Sequence, residues 1–485
     1  MSTTLSRAAE VYVNGAWQAG GGSLLTVYRP YDGTELAVLT QASPEQAHAA
    51  LASSSDAQRE WARVPAVERG LLLRQLADLI AANKELLAGL ITDEVGKRHS
   101  EAADELAFAE SFIRYNAEWD RRLEGELLPG DSPGEQVHLR REPLGVIAAI
   151  CPWNFPLAVL CRKLGPALLT GNTVVVKPSE ISPLSTMALF DLIDAELDLP
   201  PGVVNLVVGD GSVGGTLVTD PLTSMVTFTG HRDTGKRVMA AAAANLTRVS
   251  LELGGKAPAI VWRDADLDIA VPSILQARHT NCGQVCTSAE RVLVHRDIVD
   301  EFTDRYAGAV AEMRIGDPRD DVDLGPMASA AQLAKTGAAL EAAVAGGATV
   351  VTGGAATPSG AAAGGYWHAP TVLSGVTADM AIAREEIFGP VTPIIAVDSL
   401  DATLKIANDS RYGLSAYVFS SDYATVLNTV DDLAFGEIYV NRTLGESVHA
   451  HHAGWKESGM GGEDGKWGML RYTQIKTVYH HYGRA

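Results

Sequence analysis

Between residues 144 and 252 short β-rich runs and helix-length segments alternate, and few folds accommodate that rhythm. The runs at 145–150, 173–176, 203–208, 225–228 and 248–251 read as strands. The stretches near 157–170, 183–197, 214–219 and 233–243 between them read as helices. Such alternation predicts a mostly parallel sheet covered on both faces by helices, an α/β class. A second alternation begins near 257–261 and runs to about 441. Ahead of the first, Asn14-Gly15 predicts a hairpin turn. Ser43-Pro44-Glu45-Gln46 predicts a helix start, with a Ser cap, Pro at the first position and Gln three residues after the cap. Helical, Ala/Leu-rich periodicity then runs to about Arg122. Charged, Gly/Pro-punctuated residues from 124 to 141 read as an extended excursion, the last residues as a strand-like tail, and the Gly/Ala-rich stretch 353–365 as a surface loop.

The chain has 485 residues, enough for two or three domains, and a formal net charge of −20. That charge repels phosphate backbones and anionic membrane surfaces, so neither nucleic acid nor a membrane is an expected partner. No basic segment leads into an apolar one within residues 1–20, so no signal peptide is expected. The most apolar window, 144–161, is broken by Pro152, Asn154 and Pro156 and cannot span a bilayer as one helix. The 4 cysteines, at 151, 161, 282 and 286, form no disulfide framework and fit a reducing cytoplasm.

Three groups of residues suggest chemistry. Gly209-Asp210-Gly211-Ser212-Val213-Gly214 matches the glycine pattern of a dinucleotide-binding turn, between a strand and a helix. No convincing acidic residue follows about twenty positions on. Gly230 and Gly235 form a second glycine pair in a similar place, and either turn could offer backbone N–H groups to a pyrophosphate or be a tight turn without a ligand. Cys286 follows Gly283-Gln284-Val285 and precedes a helix-like continuation, a setting that would favour a thiolate. Taken alone, a cysteine in a long chain is more often a small buried hydrophobe than a nucleophile. Glu252, between two leucines at a strand end, is placed for a raised pKa and general-base work.

Together these motifs carry a resemblance. Glu252-Leu253-Gly254-Gly255-Lys256, then Gly283-Gln284-Val285-Cys286 with the Cys 34 positions after the Glu, resembles the aldehyde dehydrogenase superfamily. So do 152–156 (PWNFP), 177–180 (KPSE), Phe228-Thr229-Gly230 and 386–390 (EIFGP), in the family's order along essentially the whole chain. The resemblance implies an NAD-dependent enzyme that oxidises an aldehyde to its carboxylate through a thioester. Cys286 would be the nucleophile and Glu252 the base that activates water. The Asn154 side chain and the Cys286 backbone N–H would form the oxyanion hole. It further implies cofactor contacts at Ile150, Trp153, Lys177, Glu180, Gly211, Phe228, Gly230, His231, Leu253, Glu386 and Phe388. Lys177 and Glu180 would grip the adenosine ribose and Glu386 the nicotinamide ribose. Glu180 would disfavour a 2′-phosphate, and hence NADP. His231 departs from the family, many members of which have Ser there.

Within the superfamily the chain is most similar to bacterial lactaldehyde and glycolaldehyde dehydrogenases, through Arg162, residues 164–173, Asn441-Arg442 and His452-Ala453-Gly454-Trp455. That subgroup implies Arg162, Glu446 and His452 at the substrate mouth and a small 2-hydroxyaldehyde as substrate. Segment 443–451 departs from it. An aromatic or semialdehyde substrate, a thiol esterase and a non-catalytic protein on the same fold are the alternatives. His449, His451 and His452 suggest a metal, but no cysteine or carboxylate cluster completes a site and no functional metal is expected. The implied architecture has a Rossmann-like cofactor domain (1–122 and 143–252) and an α/β catalytic domain (253–440). A pocket-loop region (441–469) and a small β oligomerisation element (123–142 and 470–485) complete it, so a homo-oligomer is expected.

Overall fold

A computed structural model describes residues 10–354 and 360–483. The 353–365 stretch and the first twenty residues therefore lie partly outside the described residues. Both local signals at the start of the chain appear. Asn14 and Gly15 take φ of 54° and 74°, turning Val11–Val13 onto Ala16–Gln18. Ser43 caps the helix Pro44–Arg63, and its hydroxyl and the Gln46 side chain exchange hydrogen bonds with each other's backbone.

The first alternation folds into an eight-stranded sheet. Its five parallel strands lie in the order Val204–Leu206, Thr173–Lys177, Val146–Ile150, Thr223–Thr229, Arg248–Glu252. Val146–Ile150 comes first in the chain and sits in the middle, so the winding reverses between it and Thr223–Thr229. Ligands of open α/β sheets bind beyond the carboxyl ends of strands at such a reversal. Residues 150–154, 229–231 and 252–254 all leave the sheet on that side. The helix Pro156–Leu169 is buried along its whole length and fills the space between the sheet and the helices of residues 66–117.

The second alternation forms a seven-stranded sheet around Ala257–Val261, with Ala289–His295 on one side and Ser415–Phe419 on the other. The excursion and the tail join as Glu126–Pro129, Glu135–Pro143 and Thr473–His481, an antiparallel three-stranded sheet. The segment 441–469 is less loop-like than expected. Gly459–Met460 pairs with Leu251 and Glu252 at the edge of the first sheet, and Trp455–Lys456 pairs with Tyr412–Gly413. The segment thus pairs directly with the strand that ends in Glu252 and forms a separate two-stranded sheet with Tyr412–Gly413.

Candidate active site

The chemistry-bearing residues converge on one cleft of about 470 Å³, lined by Cys286, Glu252, Asn154, Arg162, Glu446 and His452 among others. Two glycines explain how the strand carrying Glu252 comes so close to the cysteine loop. A Cβ on Gly254 would lie 2.1 Å from the Glu386 carboxylate, and one on Gly255 would lie 2.6 Å from the Cys286 carbonyl. Lys256 follows and is fully buried, with its Nζ 2.8 Å from Glu290. Glu290 in turn accepts from the backbone N–H groups of Ile387 and Phe388 at 2.9 and 2.8 Å. The Glu-Leu-Gly-Gly-Lys motif therefore fixes Glu252, the Cys286 loop and the Glu386 turn against one another.

The Cys286 loop differs from expectation. Asn281, Cys282 and Gly283 take successive positive φ values of 49°, 56° and 75°, and Cys286 is followed by a turn and then the strand Ala289–His295, not by a helix. No helix N-terminus supports its thiolate. Burial pushes the thiol up, and the His452 imidazole, by hydrogen bonding and charge, acts against it. Gln284 locks the loop: its amide donates to the Asn281 carbonyl at 3.0 Å and accepts from the Ala328 N–H at 3.0 Å. Its backbone carbonyl accepts from Asn154 Nδ2 at 2.9 Å. That bond orients the Asn154 amide beside Cys286 and leaves its second N–H for another acceptor. Asn154 is itself anchored from behind, because the buried Lys97 donates to its carbonyl and to Glu105, both at 2.6 Å. Glu105 also accepts from the Leu157 and Ala158 N–H groups at the start of the next helix.

Glu252 ends its strand fully enclosed, and neither carboxylate oxygen meets a hydrogen-bond donor among the described residues. Burial raises its pKa to about 8, against the opposing pull of His452, 3.9 Å away. Glu386 is lifted to about 7, again by burial, although one oxygen accepts from Gly255 N–H at 2.9 Å. Trp153 and Phe388 meet edge to face, with centroids 5.5 Å apart, and flank the cleft with Gly230 and Leu253. The Gly230 N–H is used on the Glu252 carbonyl at 3.0 Å, and a Cβ there would strike the Phe228 ring at 2.6 Å. Gly235 serves packing, since a Cβ on it would meet Leu253 at 2.5 Å.

Five expected cofactor residues, Ile150, Lys177, Glu180, Gly211 and Phe228, stand apart from the cleft lining. Ile150 is buried in the core, and Lys177 is its partner on the adjacent strand; a Cβ added to Gly214 would lie 3.5 Å from the Lys177 side chain and 3.8 Å from that of Ile150. Lys177 Nζ is 3.8 Å from Glu180, which is half exposed. Gly211 opens the helix Gly211–Thr219, whose first turn is capped by Asp210 through Ser212 N–H at 2.8 Å. That carboxylate gives the Gly209–Gly214 turn a negative cap, unfavourable to a pyrophosphate. His231 caps the other helix, Arg232–Ala242, with Nδ1 accepting from the Asp233 N–H at 3.2 Å. Burial and neighbouring cations lower its pKa, so the ring is neutral, and with Nδ1 accepting it carries its proton on Nε2.

Arg162, Glu446 and His452 come together. The Arg162 guanidinium is buried, 4.6 Å from the Phe112 ring centre, and pairs with Glu446 and with Asp464, the latter at 3.0 Å. It is no surface helix charge. His452 Nδ1 lies 2.8 Å from Glu437 and 3.8 Å from Glu446. Burial opposes its charge, yet Glu446 and Glu437 hold it well above the usual histidine range. His449 and His451 are exposed and do not join it. Among the described residues His452 instead forms a possible ligand group with Glu437 and Glu446, but Arg162 already occupies Glu446. Glu437, Glu463, Asp464, Lys97, Glu105, Phe108 and Phe112 escaped the sequence reading. Only Glu463-Asp464 carried a signal, two acids enclosed by glycines.

A model of the aldehyde dehydrogenase family matches residues 17–478. Lactaldehyde dehydrogenase of Escherichia coli is 42% identical over 97% of this chain and 98% of its own. A 3,6-anhydro-alpha-L-galactose dehydrogenase of Streptomyces coelicolor is 41% identical over 98% of this chain and 97% of its own. The solved structure of the Escherichia coli lactaldehyde dehydrogenase superposes with a TM-score of 0.94, covering 98% of this chain and 99% of that one. The chain belongs to the aldehyde dehydrogenase family.

Proposed function

We propose that this aldehyde dehydrogenase uses NAD to oxidise a small neutral 2-hydroxyaldehyde, of the lactaldehyde or glycolaldehyde type. The observation that carries the reading is the Arg162–Glu446–His452 cluster opening on the same cleft as Cys286 and Glu252. Arg162 and His452 are offset by Glu437, Glu446, Glu463 and Asp464. A carboxylate-bearing semialdehyde would bring a further negative charge to the Arg162 cluster, whose cations Arg162, Lys163 and His452 are each already paired with a carboxylate among the described residues. A hydroxyl, which donates and accepts, suits paired charges better. Relatives named for lactaldehyde and anhydrogalactose support a hydroxylated substrate, whereas a succinate-semialdehyde dehydrogenase of Arabidopsis thaliana at 40% identity represents the rival.

The residues fit a nicotinamide dinucleotide: a ribose-binding carboxylate at Glu386, a cleft kept open by Gly230 and Gly254, and a neutral imidazole with a free N–H at His231. Lys177 and Glu180 would hold the adenosine ribose, and Glu180 favours NAD. A related anhydrogalactose dehydrogenase structure carries NAP, so the charge at 180 is the point to test. When bound, the nucleotide supplies the acceptor for hydride. The Cys286 thiolate adds to the carbonyl carbon, and the resulting oxyanion accepts from the free Asn154 N–H and the Cys286 backbone N–H. Loss of hydride from that carbon leaves a thioester on Sγ. Glu252 then takes a proton from the attacking water, the C–S bond breaks, and the acid leaves with the thiolate restored.

The same reading gives the three-stranded sheet an oligomerisation role. It exposes Leu127, Ile475 and Tyr479, the last 79% accessible, beside unpaired strand edges that a second copy would cover. Light scattering should report a dimer or a dimer of dimers, and a monomer would end that assignment. For the substrate, kcat/KM on lactaldehyde and glycolaldehyde should exceed that on propanal, acetaldehyde and succinate semialdehyde by about tenfold to a hundredfold, the cost of leaving buried polar groups unpaired. A semialdehyde or alkyl aldehyde that wins this comparison would overturn the substrate class while leaving the family chemistry intact.

A further inference from the structure

The imidazole of His452 occupies a position that substrate recognition alone does not require. It is 3% exposed, and its backbone is locked by a reciprocal pair of hydrogen bonds with Glu463, at 3.0 and 2.7 Å. Nδ1 is taken up by Glu437 at 2.8 Å, with Glu446 on the same nitrogen at 3.8 Å. With Nδ1 so held, the opposite edge of the ring turns into the cleft. There Nε2 lies 3.9 Å from Glu252, and the ring and the Cys286 thiol line the same cleft, placed to hydrogen-bond each other. The order is carboxylate, imidazole, thiol.

We propose that His452, carried by Glu437, is the cationic partner that holds the Cys286 thiolate. The inference rests on Cys286 being the nucleophile. Among the described residues the loop supplies no helix N-terminus to do this work, and of the cations that act on the thiol His452 outweighs Arg162, which is committed to Glu446 and Asp464. An imidazolium against a thiolate is the arrangement that sustains a nucleophilic cysteine at neutral pH. In this step the S–H bond breaks, its proton passes to solvent, and the charge left on Sγ is matched by the imidazolium, which keeps both ring protons. Glu252 thereby stays free for the later attack by water. The charged groups facing His452 are Glu437, Glu446, Glu252, Glu463, Asp464, Arg162 and the neighbouring His451. The carboxylates among them keep the ring protonated, whereas Arg162 and burial oppose it.

The test is the pH profile of Cys286 alkylation by iodoacetamide, a neutral reagent without the hydroxyl that Arg162 and Glu446 would recognise. Enzyme without added nucleotide is treated across the pH range and the modified cysteine identified by mass spectrometry. His452→Gln should move the inflection to higher pH by at least about one unit, so that alkylation near neutral pH slows about tenfold or more. Glu437→Gln, which keeps the ring and removes its carboxylate, should move it the same way by less. In the unaltered enzyme, nitrogen NMR of labelled histidine should show His452 losing its proton at lower pH once Cys286 is alkylated, because coupling between two sites is reciprocal. Superimposable alkylation profiles, or a His452 titration indifferent to alkylation, would overturn the proposal and leave His452 a substrate contact only. Should alkylation at full inactivation fall on another cysteine, the nucleophile assignment itself would be the part that failed.

Discussion

Glu252→Gln separates the two halves of the proposed reaction. The carboxyl is enclosed, accepts no hydrogen bond among the described residues, and titrates near 8 because burial penalises its charge. A raised carboxyl pKa means that the base form is the minority below that value and accumulates as pH rises through it. At about pH 7 roughly one molecule in ten would hold the carboxylate and at about pH 9 roughly nine in ten, so hydrolysis of the thioester should accelerate about tenfold over that interval. Removing the base should cost about a hundredfold to ten-thousandfold in that step and abolish the pH-dependent limb. The amide matches the protonated carboxyl in size and charge, and neither oxygen has a donor to lose, so the melting temperature should hardly move. Rapid mixing with an aldehyde and NAD should then give a burst of NADH close to one per site, followed by a slow steady rate. Steady-state turnover at the wild-type level, or a wild-type pH limb in the variant, would refute the assignment of Glu252 as base.

Three further outcomes are expected. Glu180→Thr should improve use of NADP relative to NAD by about one to three decades, the reach of one unit charge worth about 1 to 4 kcal/mol near a surface cleft. An unmoved kcat/KM ratio for the two nucleotides would place the adenosine ribose elsewhere. Lys97→Met should destabilise the fold by about 3 kcal/mol, because Glu105 is left buried without its cation, and should lower kcat by loosening Asn154. Thermal melts and turnover measured together check it, and a stable, fully active variant would mean that Lys97 does not anchor the oxyanion hole. Arg162→Leu should depress kcat/KM for lactaldehyde more than for propanal, and equal losses on both would remove Arg162 from substrate recognition.

What the sequence disclosed follows from how local each signal was. The Ser43 capping box and the Asn14-Gly15 turn are complete within four residues, and both formed as expected. The strand–helix rhythm of 145–252 was legible because each strand, buried on both faces, is an apolar run bounded by turns. Cys286 misled for the same reason in reverse. Its neighbours look like a helix start, but the three successive left-handed residues at 281–283 and the Gln284 bonds to Asn281 and Ala328 are tertiary facts, invisible to local pattern. Glu437 and Glu463 were missed because they act through space, each on a residue far from it or across a bridge that the sequence does not announce. Lys97 and Glu105 read as ordinary charges on helical segments, and only burial at the mouth of Pro156–Leu169 makes them a pair.

The same distinction bears on the substrate. Arg162 suggests an anion when considered alone, and its burial would then strengthen the case. Its partners reverse that reading. Glu446 and Asp464 both pair with it, and Glu463, tied mainly to Lys163 at 2.5 Å, approaches it as well. Asp464 is itself lifted to about 7, by burial first and then by Glu446 and Glu463 beside it. Glu101 and Asp104 also line the cleft, while Lys97 is committed to Glu105. An incoming carboxylate would have to displace one of these partners and leave it buried and unpaired, a cost of about 3 to 5 kcal/mol. A hydroxyl asks for no such exchange: it can donate to Glu446 and accept from Arg162 or His452 without disturbing either ion pair. The selectivity expected of this enzyme therefore follows from the carboxylates behind Arg162 more than from Arg162 itself.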